Sequence, residues 1–221
     1  MTATERPSIA IVGGTGLLGS GLARRLATAG YTLLIGSRTA DKAEAAAAKL
    51  VAAGGTARGT SNAKAAKGGE LVIVTVPWQS QAAILEEIRP HVAGKLVIDT
   101  TVPLVPPRVA RVQLPAEQSA ALAAQQRLGP GVRVVAAFHT VAAHKLQRDE
   151  PIEADVLVFG DDAKDRDIVI GLAQAIGLRG VHAGPLVNAV AAEALTSVLI
   201  GINRSYKVDG AGIRITGIGA A

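Results

Sequence analysis

The hydrophobic residues of this chain fall into short runs that alternate with longer stretches of helical periodicity. Short apolar runs bounded by Gly, Pro or polar residues predict buried strands. Helical spacing of Leu and Ala predicts the intervening helices. We expect strands at residues 9–12, 32–35, 56–59, 71–76, 96–98, 132–136 and 156–159 and around Val181, and helices at 16–29, from Thr39 as N-cap onward, and at 79–89, 116–128, 163–176 and 186–206. Strand–helix alternation of this kind is typical of an α/β protein with a doubly wound parallel sheet.

The composition indicates one globular unit and excludes several kinds of chemistry. The chain has 221 residues, 49% of them hydrophobic, and no cysteine. Disulfides, thiolate metal sites and a cysteine nucleophile are therefore excluded. Residues 1–8 lack the apolar core of a signal peptide, the apolar run from residue 71 meets Pro77, and the apolar stretch 187–202 contains Glu193. We therefore expect no export and no membrane span, and a cytoplasmic location.

A net charge of +5 raises the question of an anionic partner. The basic residues are scattered along the chain, and the aromatic residues amount to two Phe, two Tyr and one Trp. Nucleic-acid binding usually requires a basic stripe or stacking aromatic rings, so we do not expect it. A phosphate-bearing cofactor, or simply a basic surface, accounts better for the charge.

The first predicted strand leads directly into a glycine-rich turn. Gly14, Gly16 and Gly19 satisfy G-x-G-x-x-G, with Thr15, Leu17 and Leu18 between them. Such glycines permit a tight turn, close approach of a pyrophosphate and close packing of helix on strand. The amides at the helix start and the helix dipole attract the anion. We therefore predict a Rossmann-like, doubly wound parallel sheet with a small C-terminal helical part.

The end of the second predicted strand favours NADP over NAD. NAD-binding proteins place an acidic residue there for the ribose diol. This chain has Ser37 and Arg38 instead, and the first acidic residue after this strand is Asp41. A guanidinium fork suits a 2′-phosphate, and Lys42 adds charge one helical turn later. The alternative is that Arg38 and Lys42 are solvated surface groups.

Further candidate residues follow other strand ends, where ligands bind in this fold. Pro77 and Trp78 follow residues 71–76, and Val76 ends that run. His139 follows the strand at 132–136 and is the candidate catalytic residue, although a structural histidine is the alternative. A metal pair of His139 with His144 is not expected, because no third ligand lies nearby. Asp161 and Asp162 are expected to cap helices.

The sequence contains no Ser-His-Asp order, paired-carboxylate motif or Tyr-x-x-x-Lys pair. Hydride transfer between two redox cofactors requires none of these, because the chemistry belongs to the two rings. The chain as a whole resembles the F420H2:NADP oxidoreductases, also called NADPH-dependent F420 reductases. The similarity rests on residues 13–16 with 18–19, 36–38 with 42–45, 75–78, 103–106, 139–140, 160–162 and 183–186 with Asn188.

The resemblance implies roles for individual residues. Thr15, Ser37, Arg38 and Lys42 would hold the adenosine phosphates of NADP(H). Pro77, His139, Val141 and Ala143 would border the nicotinamide. Val105 and Ala143 would offer backbone hydrogen bonds to the deazaflavin coenzyme F420, and the helix after Leu186 would close its pocket. The complete predicted cofactor site comprises Gly14, Thr15, Gly16, Leu17, Leu18, Ser37, Arg38, Lys42, Val76, Pro77, Trp78, Val105, His139, Val141 and Ala143.

The resemblance also implies a homodimer and a reversible hydride transfer between NADP(H) and F420. On this basis, residues 1–185 are expected to form the NADP-binding domain and residues 186–221 a helical segment that closes the acceptor pocket. The alternatives are an NADPH-dependent reductase of a flavin, a ferric chelate or a small carbonyl compound, and an NADP(H) sensor without catalysis.

Overall fold

Six parallel strands form the main sheet of the computed structural model, which describes residues 6–219. They are β1 (Ile9–Val12), β2 (Thr32–Ser37), β3 (Thr56–Ser61), β4 (Leu71–Val74), β5 (Leu96–Asp99) and β6 (Arg133–Ala136). Their order is β3-β2-β1-β4-β5-β6, so the strand order reverses beside β1. β1, β4 and β5 are buried along their whole length because helices cover both faces, as their continuous apolar sequences predict.

Seven helices accompany the strands in the described residues. They are α1 (Leu17–Thr28), α2 (Ala40–Ala52), α3 (Asn62–Gly68), α4 (Trp78–Ile88), α5 (Ala120–Leu128), α6 (Ala163–Ala175) and α7 (Ala189–Tyr206). Short 3₁₀ turns occupy Arg89–His91, Lys145–Gln147 and Leu186–Asn188. Two separate apolar clusters form the core, and neighbouring strand residues contribute alternately to one and the other. This arrangement confirms the predicted Rossmann-like, doubly wound α/β fold with a C-terminal helix.

The last two strands do not extend the main sheet. β7 (Asp155–Val158) and β8 (Arg179–His182) form a separate parallel pair. One antiparallel bridge between Ala136 and Phe159 links this pair to β6. The reason lies in the connection after β6, which contains a 3₁₀ turn but no α-helix. Without a crossover helix the chain does not return as a parallel neighbour, so the expectation of one sheet is corrected here.

Several boundaries differ from the sequence-based prediction for local reasons. α3 was not predicted, because Asn-Ala-Lys-Ala-Ala-Lys-Gly has no apolar periodicity; the Ser61 side chain caps it by accepting a hydrogen bond from the Lys64 amide at 3.4 Å. α5 begins at Ala120 rather than at residue 116, because Gln118 has a left-handed φ of 72° and Ser119 is the N-cap. Thr39 occupies the N-cap position of α2, but its side chain makes no capping hydrogen bond.

The predicted cap at Asp162 is confirmed, whereas Asp161 does not cap the helix that follows it. Asp162 accepts a hydrogen bond from the Lys164 amide at 2.7 Å and so caps α6. Asp161 accepts one from the Leu186 amide at 3.0 Å, at the 3₁₀ turn that precedes α7.

α7 and the turn before it are long and apolar. Residues Leu186–Tyr206 have a mean hydropathy of 1.5 over their most apolar window, enough in length and composition to cross a membrane. Core helices of soluble proteins meet the same criteria, and α7 carries the buried carboxyl group of Glu193. The sequence predicts that residues 1–8 are not a signal peptide, and residues 1–5 of this segment lie outside the described residues.

Candidate active site

A cavity of about 260 Å³ opens at the carboxyl edge of the sheet, where β1, β2, β3 and β4 end. Seven of the predicted site residues line it together: Thr15, Gly16, Ser37, Arg38, Lys42, Val76 and Pro77. Gly13, Thr39, Asn62, Thr75, Ser80 and Ile84 complete the lining. Gly14, Thr15 and Lys42 also border a neighbouring groove between α1 and α2.

The glycine turn brings α1 against β1 so closely that side chains are excluded. A Cβ on Gly14 would lie 2.8 Å from the Ile11 carbonyl oxygen. A Cβ on Gly19 would lie 2.5 Å from Thr75 Oγ1 and 2.8 Å from Gly14 Cα. The first turn of α1 contains no acidic residue and no side-chain cap. Its N-terminal amides and dipole are therefore available to an anion.

A second anion cradle lies at the end of β2. Thr15 Oγ1 donates a hydrogen bond to Ser37 Oγ at 3.4 Å, and the Thr39 amide donates to the same oxygen at 3.3 Å. Arg38 and Lys42 are exposed beside it. Among residues 6–219, no carboxylate lies within ion-pairing distance of either cation. Two uncompensated cations beside two hydroxyl groups fit a phosphate ester well.

Asn62 is a site residue that the sequence reasoning missed. It is 1% exposed, and its Oδ1 accepts a hydrogen bond from the Gly13 amide at 3.1 Å. Asn62 begins α3, so it could be found only after that helix was recognised. Its amide ties the start of α3 to the glycine turn and fixes one wall of the cavity.

His139 lies beyond the end of β6, outside the lining of the cavity. It is 6% exposed, and neither ring nitrogen has a hydrogen-bond partner among the described residues. Burial lowers the pKa of His139 to about 4, so the ring is neutral at pH 7. Phe138 before it has a left-handed φ of 67°, an uncommon conformation for a bulky residue that is often found at functional sites.

The segment after His139 folds back over α1. Gln147 Nε2 donates hydrogen bonds of 2.8 Å to the Leu17 carbonyl and to Ser20 Oγ. Arg25 donates to the carbonyl groups of Arg148 at 2.7 Å and of Glu150 at 2.8 Å, among others. Val141 is buried in this segment, and a Cβ on Gly21 would lie 3.3 Å from the Ala143 carbonyl oxygen. Residues 138–150 are thus held close to the start of the phosphate-binding helix.

Comparison with known proteins identifies the family. The model of the family "NADP oxidoreductase coenzyme F420-dependent" matches residues 8–103. The F420-dependent NADP reductase of Methanothermobacter thermautotrophicus is 39% identical over 220 residues, which cover 95% of each chain. This chain belongs to the F420-dependent NADP reductase family. The reductase of Methanocaldococcus jannaschii is 38% identical over 221 residues, covering 95% of this chain and 98% of that one.

A solved structure agrees with this membership of the F420-dependent NADP reductase family. The crystal structure of an Arthrobacter protein, named as a candidate F420-dependent NADP reductase, has a TM-score of 0.80 and is 25% identical. The match covers 96% of this chain and 100% of the Arthrobacter chain. The likeness therefore extends through the C-terminal part, beyond the residues that the family model matches.

Four other predicted site residues do not line the cavity. Trp78 is the first residue of α4 and is partly exposed, and neither it nor Val105, Val141 or Ala143 lines the cavity. The Val105 carbonyl already accepts hydrogen bonds from the Arg108 amide at 3.2 Å and from Gln113 Nε2 at 3.2 Å. The backbone group that Val105 can offer a ligand is therefore its N–H.

The two predicted histidines, His139 and His144, have different surroundings. His144 Nε2 lies 2.7 Å from Asp209 Oδ1 in the C-terminal segment, whereas neither ring nitrogen of His139 has a hydrogen-bond partner among the described residues. No cluster of three or more His, Asp or Glu side chains suited to a metal ion occurs in residues 6–219.

Proposed function

We propose that this protein transfers a hydride reversibly between NADP(H) and the deazaflavin coenzyme F420. The observation that carries the proposal is the 39% identity to an F420-dependent NADP reductase over 95% of both chains. The anion cradle at the end of β2 supports it independently, because its two hydroxyl groups and two cations suit the 2′-phosphate of NADP(H). When bound, NADPH supplies the hydride from its nicotinamide, and F420 accepts it at the deazaflavin ring.

We assign the NADP(H) side to the glycine turn and the end of β2. The amides of Leu17 and Leu18 at the start of α1 would hold the pyrophosphate, while the Gly16 amide donates to the Gly13 carbonyl at 3.0 Å and so closes the turn. Thr15, Ser37, Arg38 and Lys42 would hold the 2′-phosphate, and Val76 and Pro77 would border the path toward the nicotinamide. The close contacts of Gly14 and Gly19 hold the turn and α1 tightly against the sheet.

His139 is the candidate catalytic residue on the nicotinamide side. Hydride transfer requires a dry pocket and precise positioning of two rings. A buried imidazole with two unpartnered nitrogens carries one donor and one acceptor for polar groups of the ligands. Because burial lowers its pKa to about 4, His139 would position the rings as a neutral group and add no charge to the pocket.

We place the acceptor between residues 101–105, residues 138–143 and the C-terminal segment. In this assignment residues 1–185 form the NADP-binding domain, and residues 186–221 close the acceptor pocket. Trp78 and Val141 would border the nicotinamide, and the backbone of Ala143 and the N–H of Val105 would contact the acceptor. Thr196 Oγ1 in α7 donates a hydrogen bond to the His139 carbonyl at 2.9 Å, which supports a direct link between the two parts.

A homodimer and a cytoplasmic location are part of the proposal. Val198, Ile202 and Tyr206 lie on one stripe of α7 and are 36–76% exposed, and Val187 in the 3₁₀ turn before it is 47% exposed. Such a stripe suits a second copy of the chain. Replacing Val198 and Ile202 together by Lys should convert a dimer of the wild type into a monomer, as measured by light scattering after size exclusion. A monomeric wild type would contradict the dimer proposal.

The proposed function is tested by mixing the purified protein with NADPH and oxidised F420 and following the deazaflavin absorbance. NADH and flavin mononucleotide serve as controls for the donor and the acceptor. Reduction of F420 with NADPH, and little with NADH, is the expected result. NADPH binding without F420 reduction would overturn the assignment of the acceptor, and reduction of the flavin alone would favour a flavin reductase.

A further inference from the structure

A buried polar network connects the C-terminal helix to both segments that border the proposed acceptor site. Glu193 in α7 is 1% exposed, and Asp99 at the end of β5 is fully buried. Gln81 in α4 is also fully buried and lies between them. The proposed reaction uses none of these side chains directly, so their burial at the active-site edge of the sheet requires another explanation.

Glu193 fixes α7 to the start of α5. Its Oε2 accepts a hydrogen bond from the Ala120 amide at 2.7 Å, and its Oε1 accepts one from the Ala121 amide at 3.0 Å. A carboxylate at these two amides also interacts favourably with the helix dipole. Thr196 lies one turn later on α7 and donates its hydrogen bond to the His139 carbonyl. The same helix therefore holds both α5 and the backbone beside His139.

The network continues from α5 to the other acceptor-side segment. Gln81 Nε2 donates to the Ala120 carbonyl at 3.1 Å and to Asp99 Oδ2 at 2.7 Å. Asp99 Oδ1 accepts from Thr101 Oγ1 at 2.7 Å and from the Thr101 amide at 3.3 Å. Thr101 begins the segment that leads to Val105. Residues that take no direct part in the proposed reaction thus form a continuous hydrogen-bonded path from α7 to residues 101–105.

We propose that Glu193 is a positioning residue that holds α7, residues 101–105 and residues 138–143 in register around the hydride acceptor, with Asp99 and Gln81 as its partners. The identity of the ligand, F420, rests on the proposed function, whereas the positioning role of Glu193 rests on the hydrogen bonds described above. This role predicts that the positions of residues 101–105 and 138–143 depend on Glu193, whereas the glycine turn and the anion cradle at the end of β2 do not.

The electrostatics of the network give the positioning a pH dependence. Burial raises the pKa of Asp99 to about 7, and burial together with the Asp99 charge raises the pKa of Glu193 to about 7. The remaining groups that contact the pair are neutral: Gln81, Thr100, Thr101 and the amides of α5. Gln81 Oε1 is buried without a donor, which fits a network that retains a proton. Above pH 7 the ionised Glu193 accepts the two α5 amide hydrogen bonds most strongly, while its burial and its repulsion from Asp99 oppose this gain.

The test compares Glu193→Gln with Glu86→Gln, an exposed glutamate of α4, as the matched control. Glutamine keeps the size of Glu193, cannot ionise and satisfies only one of the two amides. We expect Glu193→Gln to raise the KM for F420 about tenfold at pH 8, where Glu193 is ionised, and to change the KM for NADPH less than twofold, since one hydrogen bond to a charged group is lost. The difference in KM for F420 between this variant and the wild type should be smaller at pH 6, where Glu193 is protonated, and Glu86→Gln should match the wild type at both pH values.

A second readout does not depend on F420 turnover. Amide hydrogen exchange should increase in residues 101–105 and 138–143 of Glu193→Gln and stay unchanged in residues 13–20. Thr196→Val removes the link to the His139 carbonyl and a hydrogen bond to the Ala192 carbonyl within α7, so outside α7 it should increase exchange in residues 138–143 alone. Uniform exchange changes, or an equal rise of both KM values, would overturn the positioning role. Failure of the wild type to reduce F420, with these exchange changes present, would contradict the proposed function and leave the positioning role supported.

Discussion

At the scale of single residues, we expect Arg38 to determine the choice of dinucleotide. Its guanidinium group is exposed beside Ser37 and has no carboxylate partner among the described residues. Arg38→Ala should weaken NADPH binding by roughly 10- to 100-fold, because a charge-assisted hydrogen bond contributes about 1.5–3 kcal/mol. Fluorescence titration with NADPH and NADH measures the effect.

The matched control for Arg38 is Arg127→Ala, an exposed arginine near the end of α5. It lowers the net charge equally and should leave NADPH affinity unchanged. NADH affinity should change little in either variant, because NADH has no 2′-phosphate. An equal loss of NADPH and NADH affinity in Arg38→Ala would contradict the 2′-phosphate assignment.

His139 differs from an ordinary acid–base histidine because it is buried and neutral. Its pKa of about 4 lies well below the assay range, so its protonation should not shape the pH–rate profile between pH 6 and 8. His139→Ala should lower kcat by about 10- to 100-fold through loss of positioning. His91→Ala, in the 3₁₀ turn before β5, serves as the control. Unchanged kinetics in a folded His139→Ala variant would make the residue structural.

At the scale of elements, the packing of α1 on β1 depends on the absence of a side chain at position 19. A Cβ there would lie 2.9 Å from the Gly13 carbonyl oxygen as well as against Thr75. Gly19→Ala should therefore destabilise the protein by about 1–3 kcal/mol and abolish measurable NADPH binding. Urea unfolding and NADPH titration measure the two effects.

Gly171→Ala provides the opposite case on another helix. Gly171 lies within α6, and a Cβ there would meet no atom within 4 Å. Alanine should stabilise the protein by about 0.5–1 kcal/mol, because glycine costs more conformational entropy in a helix. If both glycine variants destabilised the protein equally, the close approach at Gly19 would not be the cause.

At the scale of the whole molecule, the buried titratable groups determine how stability varies with pH. Asp99 and Glu193 have folded-state pKa values of about 7, above the ordinary 3.8 and 4.5. The folded state retains protons that the unfolded state has released, so their stabilising contribution is present below pH 4 and lost as pH rises through 7. His139 acts oppositely, because its folded pKa of about 4 lies below 6.5, so its contribution is lost as pH falls between these values.

The free energy of unfolding should therefore decrease most steeply with rising pH between about 5.5 and 6.5, by at most about 1.4 kcal/mol per pH unit for each carboxyl group, with His139 offsetting roughly one of the two there. Urea unfolding at constant ionic strength from pH 5.5 to 8 measures the slope. Asp99→Asn should reduce this slope by about 1.4 kcal/mol per pH unit, the contribution of one proton, and Glu86→Gln should leave the slope unchanged. A wild-type free energy independent of pH over this range would show that the two carboxyl groups titrate normally.

The local features of the fold could be predicted from sequence because each has a local cause. β1, β4 and β5 are continuous apolar runs, and Gly14, Gly16 and Gly19 dictate the turn into α1. The replacement of the ribose-binding acid by Ser37 and Arg38 likewise depends on residues adjacent in the chain. These features predicted the Rossmann-like fold and the NADP side of the site before any contact was known.

The tertiary structure alone decided the features that depend on residues far apart in the chain. Asn62 meets Gly13 across 49 positions, and Glu193 meets Ala120 across 73. Neither contact follows from periodicity or spacing, because both depend on how α3 and α7 pack. The same applies to β7 and β8, which pair with each other because the connection after β6 lacks a crossover helix. The sequence by itself thus determined the cofactor turn and the strands, whereas packing decided the polar network behind the acceptor side.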